Sequence, residues 1–197
     1  EKMLTKEHRE EYHVLGQIFD TYWILAFQDK MFIVDQHAAH ERILYDRFAK
    51  NTDKIPSQQL LMHIFMDLTE KECEFINDNK EVFVKLGFNM EQAGPNSMRL
   101  LEVPSDVQIV EAENIIKEIL ESLENLHNVS PQELRHQTLQ ITACKAAIKA
   151  GDKLSLMQMN FIIEELNNTM LPYTCPHGRP SIIKFSSNEL AKMFKRT

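Results

Sequence analysis

Phe32-Ile33-Val34-Asp35-Gln36-His37-Ala38-Ala39-His40-Glu41 decides the fold of this chain, because it reads as a buried strand running straight into a helix. Phe32 to Val34 is a short apolar run, and Ile43, Leu44 and Phe48 then recur at helical spacing. Asp35 stands at the junction, where a carboxylate can cap the first helical turn. His37 and Glu41 are four apart and therefore share one helical face. Nitrogen and oxygen donors are thus gathered in one small volume, which is half of a metal site.

The other half lies far down the chain, at Cys175-Pro176-His177-Gly178-Arg179-Pro180. Proline and glycine fix this loop, so its thiol and imidazole can face one ion. Thiolate, imidazole and carboxylate together favour zinc, with manganese or another divalent ion possible for hydrolysis. Joined, the halves supply Asp35, His37, Glu41, Cys175 and His177, enough for two neighbouring ions sharing a carboxylate. The plain alternative is a capping aspartate beside a hydrogen-bonded histidine. A single structural zinc is the other.

The 197 residues, 43% of them hydrophobic, suffice for one substantial core or two small lobes. No apolar run approaches the roughly 20 residues of a membrane helix, and no signal-peptide pattern opens the chain. The start at Glu1 suggests a fragment of a longer protein. Three cysteines, an odd number, argue for reduced thiols in a cytosolic setting. Cys73 falls on an expected helix as a small buried residue. The formal charge of −7 is concentrated in residues 69–124, whereas residues 125–197 are basic on balance. A protein that held duplex DNA mainly by phosphate neutralisation would be clearly basic. If this chain acts on DNA, something else brings the duplex to it.

In chain order, residues 1–13 read as a linker remnant. Strands follow at 15–20, 22–27 and 31–34, with 28–30 as a hairpin connection, and the helix after Asp35 ends near Asn51. Residues 60–68 make a fourth strand. Thr69-Glu70-Lys71-Glu72 is a capping box for a helix to about Leu86, closed by Gly87. Strands at 88–92 and 98–103 flank the turn 93–96, and an amphipathic helix covers 107–126. Pro131 opens a long helix through Ile148 that ends at Gly151. Ser155 or a neighbour caps a helix over 157–166, residues 182–185 form a last strand, and Ser186 and Glu189 box a terminal helix.

At this point the residues carry a resemblance. DQHAAHE at 35–41, GQIFDTYWIL at 16–25, ACKAAIKAG at 143–151 and TCPHGRP at 174–180 are similar to the C-terminal domain of the mismatch-repair family MutL. The similarity is to the branch whose C-terminal domain is a metal-dependent endonuclease, and it covers essentially the whole chain. It implies that Asp35, His37, Glu41, Cys175 and His177 bind metal, with Asp35, His37 and Glu41 catalytic. Glu41 would bridge two ions, with His37 and Cys175 on one side and Asp35 and His177 on the other. Zinc would serve structurally, in regulation or in catalysis, and manganese or magnesium would support nicking.

The chain departs from the family pattern at Asp46, where a glutamate is usual. Its place on the helix points it away from Glu41, which favours a tether to a basic residue over a metal ligand. Cys144 reads either as a thiol approaching the metal or as core. Lys145 and Arg179 could steady a phosphate, and Arg179 could equally pair within the protein. Gln58-Gln59-Leu60-Leu61 resembles the family's docking peptide for the processivity clamp, although His63 stands where a proline is usual. The plain reading of these residues is a strand edge. His8, His13, His40, His127 and His136 read as surface or core histidines, and Trp23 as core or interface.

The expectation is an α/β (α+β) chain of two lobes. A sheet-and-helix dimerisation lobe from residues 1–56 and 128–197 carries the metal site, and a smaller α+β regulatory lobe, 57–127, is inserted in it. Expected partners are a second copy of the chain, duplex DNA held weakly, the sliding clamp, the family's N-terminal ATPase domain and MutS, in the cytoplasm at the nucleoid and away from membranes. The alternative is a non-catalytic dimerisation module with a structural zinc.

Overall fold

The computed structural model describes residues 12–51, 53–123 and 128–196. It is a mixed α/β structure with two antiparallel sheets and falls into two compact units. One runs up to Asp46 and resumes at Ala147; the other is Arg47–Ala146.

In the first unit, β1 (His13–Ile18), β2 (Tyr22–Phe27) and β3 (Lys30–Asp35) form a meander. The last strand, β7 (Ile182–Ser186), pairs antiparallel with β3, giving the order β1-β2-β3-β7. Helix α1 (Gln36–Lys50) leaves β3 without a loop, and Oδ1 of Asp35 accepts from Ala38 N at 3.0 Å to cap it. Alternation in β2 and β3 buries Trp23, Leu25, Phe32 and Val34 on one face. Met159, Ile162, Ile163 and Leu166 of α6 (Leu156–Asn167) complete that core. Helix α6 opens at the capping box of Ser155 and Gln158, and α7 (Ser187–Met193) at that of Ser186 and Glu189. The charged residues Lys195 and Arg196 lie beyond α7, whose last turn holds Lys192.

The second unit is built on β4 (Ser57–Asp67), β5 (Asn89–Gly94) and β6 (Ser97–Pro104), in the order β4-β6-β5. Helices α2 (Glu70–Asp78) and α3 (Lys80–Lys85) pack on β5, and α4 (Ala112–Ser122) packs on α5 (Pro131–Ala146). Thr69 and Glu72 make the expected capping box, and the Cys73 thiol is buried. The expected single helix to Leu86 is instead two, because Asn79 leaves helical geometry (φ −106°, ψ 18°) and its amide caps the Phe75 carbonyl. Gly87 closes α3 at φ +87°, where a Cβ would press on Pro104 at 3.2 Å, so glycine is required twice over. A 3₁₀ turn at Ile109–Glu111 precedes α4, so the α-helix begins five residues later than the sequence suggests.

Helix α5 also departs from expectation: it ends at Ala146, not at Gly151. Both backbone groups of Ile148 are bound by histidine rings, and Lys149 O accepts from Gln36 Nε2 at 2.7 Å. These bonds hold the backbone out of a helical ladder. Of the residues read as a linker, His13 opens β1, while the first eleven lie outside the described ones, as do His8 and His127. Among the described residues no helix is long and apolar enough to cross a membrane.

Candidate metal centre

The first unit brings the start of α1 and the loop before β7 together, as pairing of β3 with β7 demands. Asp35 N donates to Ser181 O at 3.0 Å, and Ser181 N donates to Tyr173 O at 3.0 Å. The loop is closed on itself by a Thr174–Pro180 bridge and by Cys175 N donating to Arg179 O at 2.8 Å. Gly178 makes the turn at φ +81°, its N–H donating to Cys175 O at 2.9 Å. The backbone therefore fixes where Cys175 and His177 stand.

Glu41 lies at the centre, with no exposed surface. Nδ1–H of His177 donates to its Oε1. Its Oε2 has Nε2 of His37 at 3.9 Å and Nη2 of Arg179 at 3.5 Å, yet accepts no hydrogen bond. A buried carboxylate oxygen without a donor is costly, and such atoms point to an ion or a water. Glu41, Cys175 and His177 each offer a donor atom within 4.8 Å of the other two. Carboxylate, thiol and imidazole at that separation fit a divalent metal, zinc in particular.

The neighbours are arranged to present these donors. Nδ1–H of His37 donates to Ile148 O at 2.9 Å, so the neutral ring carries its lone pair on Nε2, the atom nearer Glu41. Arg42 donates from Nε to Thr174 O at 2.8 Å and from Nη1 to Asp46 Oδ1 at 3.0 Å. Asp46 Oδ2 in turn accepts from Met170 N at 2.8 Å. Asp46 thus ties α1, through Arg42 and Met170, to the segment leading into the cysteine loop.

The other singled-out residues stand as follows. Asp35 is outside the Glu41–Cys175–His177 group, and its Oδ1 is engaged by the helix cap. Cys144 and Lys145 lie on α5 in the second unit; Cys144 is half-buried, and the Lys145 ammonium meets Glu118 at 2.7 Å, which raises its pKa. Gln58, Gln59, Leu60 and Leu61 lie on β4, an edge strand. Gln58 Nε2 donates to Val107 O at 3.0 Å and Leu60 is buried, whereas Leu61 is fully exposed. Trp23 is core, its Nε1–H donating to Gln36 Oε1 at 3.2 Å.

Residues 15–154 match the MutL C terminal dimerisation domain. The chain belongs to that family. It is 41% identical over 183 residues to the DNA mismatch repair protein MutL of Thermoanaerobacter pseudethanolicus, covering 93% of this chain and 30% of that one. It is 34% identical over 195 residues to the protein of the same name from Agathobacter rectalis, covering 98% and 30%. The MutL of Clostridium beijerinckii is 38% identical over 185 residues, covering 93% and 28%. The chain thus spans under a third of the length of these MutL relatives.

Two residues of the 35–41 stretch take positions to which the sequence assigned no role at the site. Gln36 is fully buried, and its amide bonds the carbonyls of Asp20 and Lys149. His40, read as a surface or core histidine, accepts from Ile148 N at 3.0 Å on Nδ1. The bonds to Lys149 O and Ile148 N each span more than a hundred residues, which no local pattern records.

Proposed function

We propose that this chain is the nuclease portion of a mismatch-repair MutL: it nicks duplex DNA by divalent-metal-dependent phosphodiester hydrolysis, as a homodimer. The observation that carries the reading is the buried carboxylate of Glu41, whose Oε2 accepts no hydrogen bond, grouped with Cys175 and His177 and with His37 Nε2 at 3.9 Å. Among the described residues this group has three protein donors, with His177 exposed at the rim, which is the pattern of a catalytic set with an open position.

Glu41, Cys175 and His177 would hold one ion, and His37 and Asp35 would contribute to a second. Bound divalent ions would supply Lewis acidity toward the phosphoryl oxygen and a lowered pKa for the attacking water. His37 keeps its Nε2 lone pair directed inward because Ile148 O holds the proton on Nδ1. The Arg42–Asp46 pair keeps the cysteine loop against α1, so the donors are in place before substrate arrives.

The acidic composition fits delivery by partners. The exposed edge of β4 would dock on the sliding clamp, and the ATPase region and MutS would act through the rest of the longer protein, at the nucleoid in the cytoplasm. The second unit would be regulatory, the first dimerising.

The test is nicking of supercoiled plasmid with manganese, with and without the clamp, by the chain and its Asp35→Asn and Glu41→Lys forms. Nicking that both substitutions abolish and the clamp stimulates is expected. No nicking by any form, even joined to an intact ATPase region, leaves a dimerisation module with a structural zinc as the better account.

A further inference from the structure

We propose that Arg179 is the counter-cation of Glu41: it neutralises the buried carboxylate until a divalent ion takes its place, and the released guanidinium then binds a phosphate oxygen. The proposal rests on the metal-centre reading above and adds to it a role for a residue outside the donor set.

Three observations carry it. Glu41 has no exposed surface, so its negative charge is poorly solvated and needs a positive neighbour. Nη2 of Arg179 lies 3.5 Å from Oε2, the very oxygen that accepts no hydrogen bond. At that distance the guanidinium balances the charge without occupying the lone pairs an ion would use. Finally, the Arg179 side chain is 61% exposed while its carbonyl is pinned by Cys175 N at 2.8 Å. The backbone is fixed and the side chain has solvent to move into.

A divalent ion at Oε2 and a guanidinium at 3.5 Å from the same atom repel each other, so binding of one weakens the other. Reciprocity requires that removing the guanidinium strengthen metal binding. Once displaced, Arg179 remains on a short, closed loop beside the ion, where its planar fork suits a phosphate better than an ammonium does.

The experiment is calorimetric titration of the 197-residue chain with Mn²⁺, then with inorganic phosphate in the presence of Mn²⁺, for the unchanged chain, Arg179→Gln, Arg179→Lys and Glu41→Gln. Arg179→Gln should bind Mn²⁺ about three- to tenfold more tightly, the scale of losing one part-exposed charge partner. Arg179→Lys, which keeps the charge, should stay near the unchanged chain. Phosphate binding should require Mn²⁺ and be lost in Arg179→Gln. Mn²⁺ affinity in Arg179→Gln that is unchanged or lower, with Glu41→Gln still abolishing binding, overturns this role and leaves the metal centre standing. A gain in Mn²⁺ affinity with phosphate binding intact overturns the phosphate step. No Mn²⁺ binding by any form overturns the metal reading, and this role with it.

Discussion

His37 donates from Nδ1 to the carbonyl of Ile148 at 2.9 Å, and the N–H of the same Ile148 donates to Nδ1 of His40 at 3.0 Å. One peptide segment is thus gripped by two rings on one turn of α1, and the grip sets which nitrogen of His37 faces Glu41. His40→Ala removes the half of the clip that holds the Ile148 N–H. It should weaken Zn²⁺ binding about tenfold, the low end for losing a group that orients a ligand. His37→Ala should cost more. Competition titration against a zinc chelator reads both, and equal affinities for His40→Ala and the unchanged chain would sink the idea.

In the proposed centre Cys175 would be the soft donor, buried beside a carboxylate and an imidazole. Cys175→Ser should therefore change metal preference more than it changes total binding. Zn²⁺ affinity should fall by about 100-fold or more, and Mn²⁺ affinity by much less, because oxygen donors suit manganese. Parallel titrations with the two ions check it; equal losses for both would mean the thiol is not a ligand.

The strands, the start of α1 and the capping boxes at Thr69 and Ser186 were legible in the sequence because each is set by neighbours within a few residues, whereas at Ser155 only a cap was legible and its box with Gln158 was not. The pairing of Glu41 with His177 was legible only as chemistry, since the donor types matched before any geometry did. What stayed hidden depends on distant backbone. Nothing near Ala146 marks the end of α5; the cause is two histidines over a hundred residues earlier. Asn79 hid its helix break for the opposite reason, because a single asparagine within a helical period is common and only its amide bond to Phe75 O shows the interruption.

Arg42 and Asp46 are each only 8% exposed and pair at 3.0 Å, so each is a buried charge that depends on the other. Asp46→Ala should destabilise the chain by about 3–5 kcal/mol, because Arg42 is left unpaired. Asp46→Asn, which keeps an acceptor for Met170 N, should cost less. The double substitution Arg42→Met, Asp46→Leu should cost less than the sum of the singles. Urea denaturation of the unchanged chain, Arg42→Met, Asp46→Leu and their double closes the cycle, with Asp46→Ala and Asp46→Asn measured beside it, and additivity would contradict the pairing.

Glu102 accepts from Ser57 Oγ at 2.7 Å and Lys54 Nζ at 3.0 Å, and these donors hold its carboxyl below the usual glutamate range. A depressed folded pKa contributes stability above the unfolded value of about 4.3 and loses it as pH falls through the folded value. Glu102→Gln should therefore be less stable than the unchanged chain at pH 7 by under about 1 kcal/mol, since the site is partly solvated. The difference should shrink as pH is lowered from 7 to about 3, below the unfolded value. Denaturation midpoints at the two pH values give the answer, and a gap that persists in acid would assign the effect to packing.

Leu60 and Leu61 are neighbours on the edge strand β4, with Leu60 3% exposed and Leu61 fully so. Pairing with β6 is interrupted between Gln59 and Ile64, which leaves Leu61 and the exposed Met62 on an irregular edge. An exposed apolar pair on such an edge is suited to strand-type docking. Leu61→Asp should leave the melting temperature within a degree or two while abolishing capture by the sliding clamp, since a surface substitution costs within about 0.5 kcal/mol. Leu60→Ala should do the reverse in kind, costing about 2–5 kcal/mol of stability through a core cavity. Clamp binding by surface plasmon resonance, beside thermal melts, separates them. If Leu61→Asp binds the clamp as well as the unchanged chain, this edge is a strand margin and the docking surface lies elsewhere.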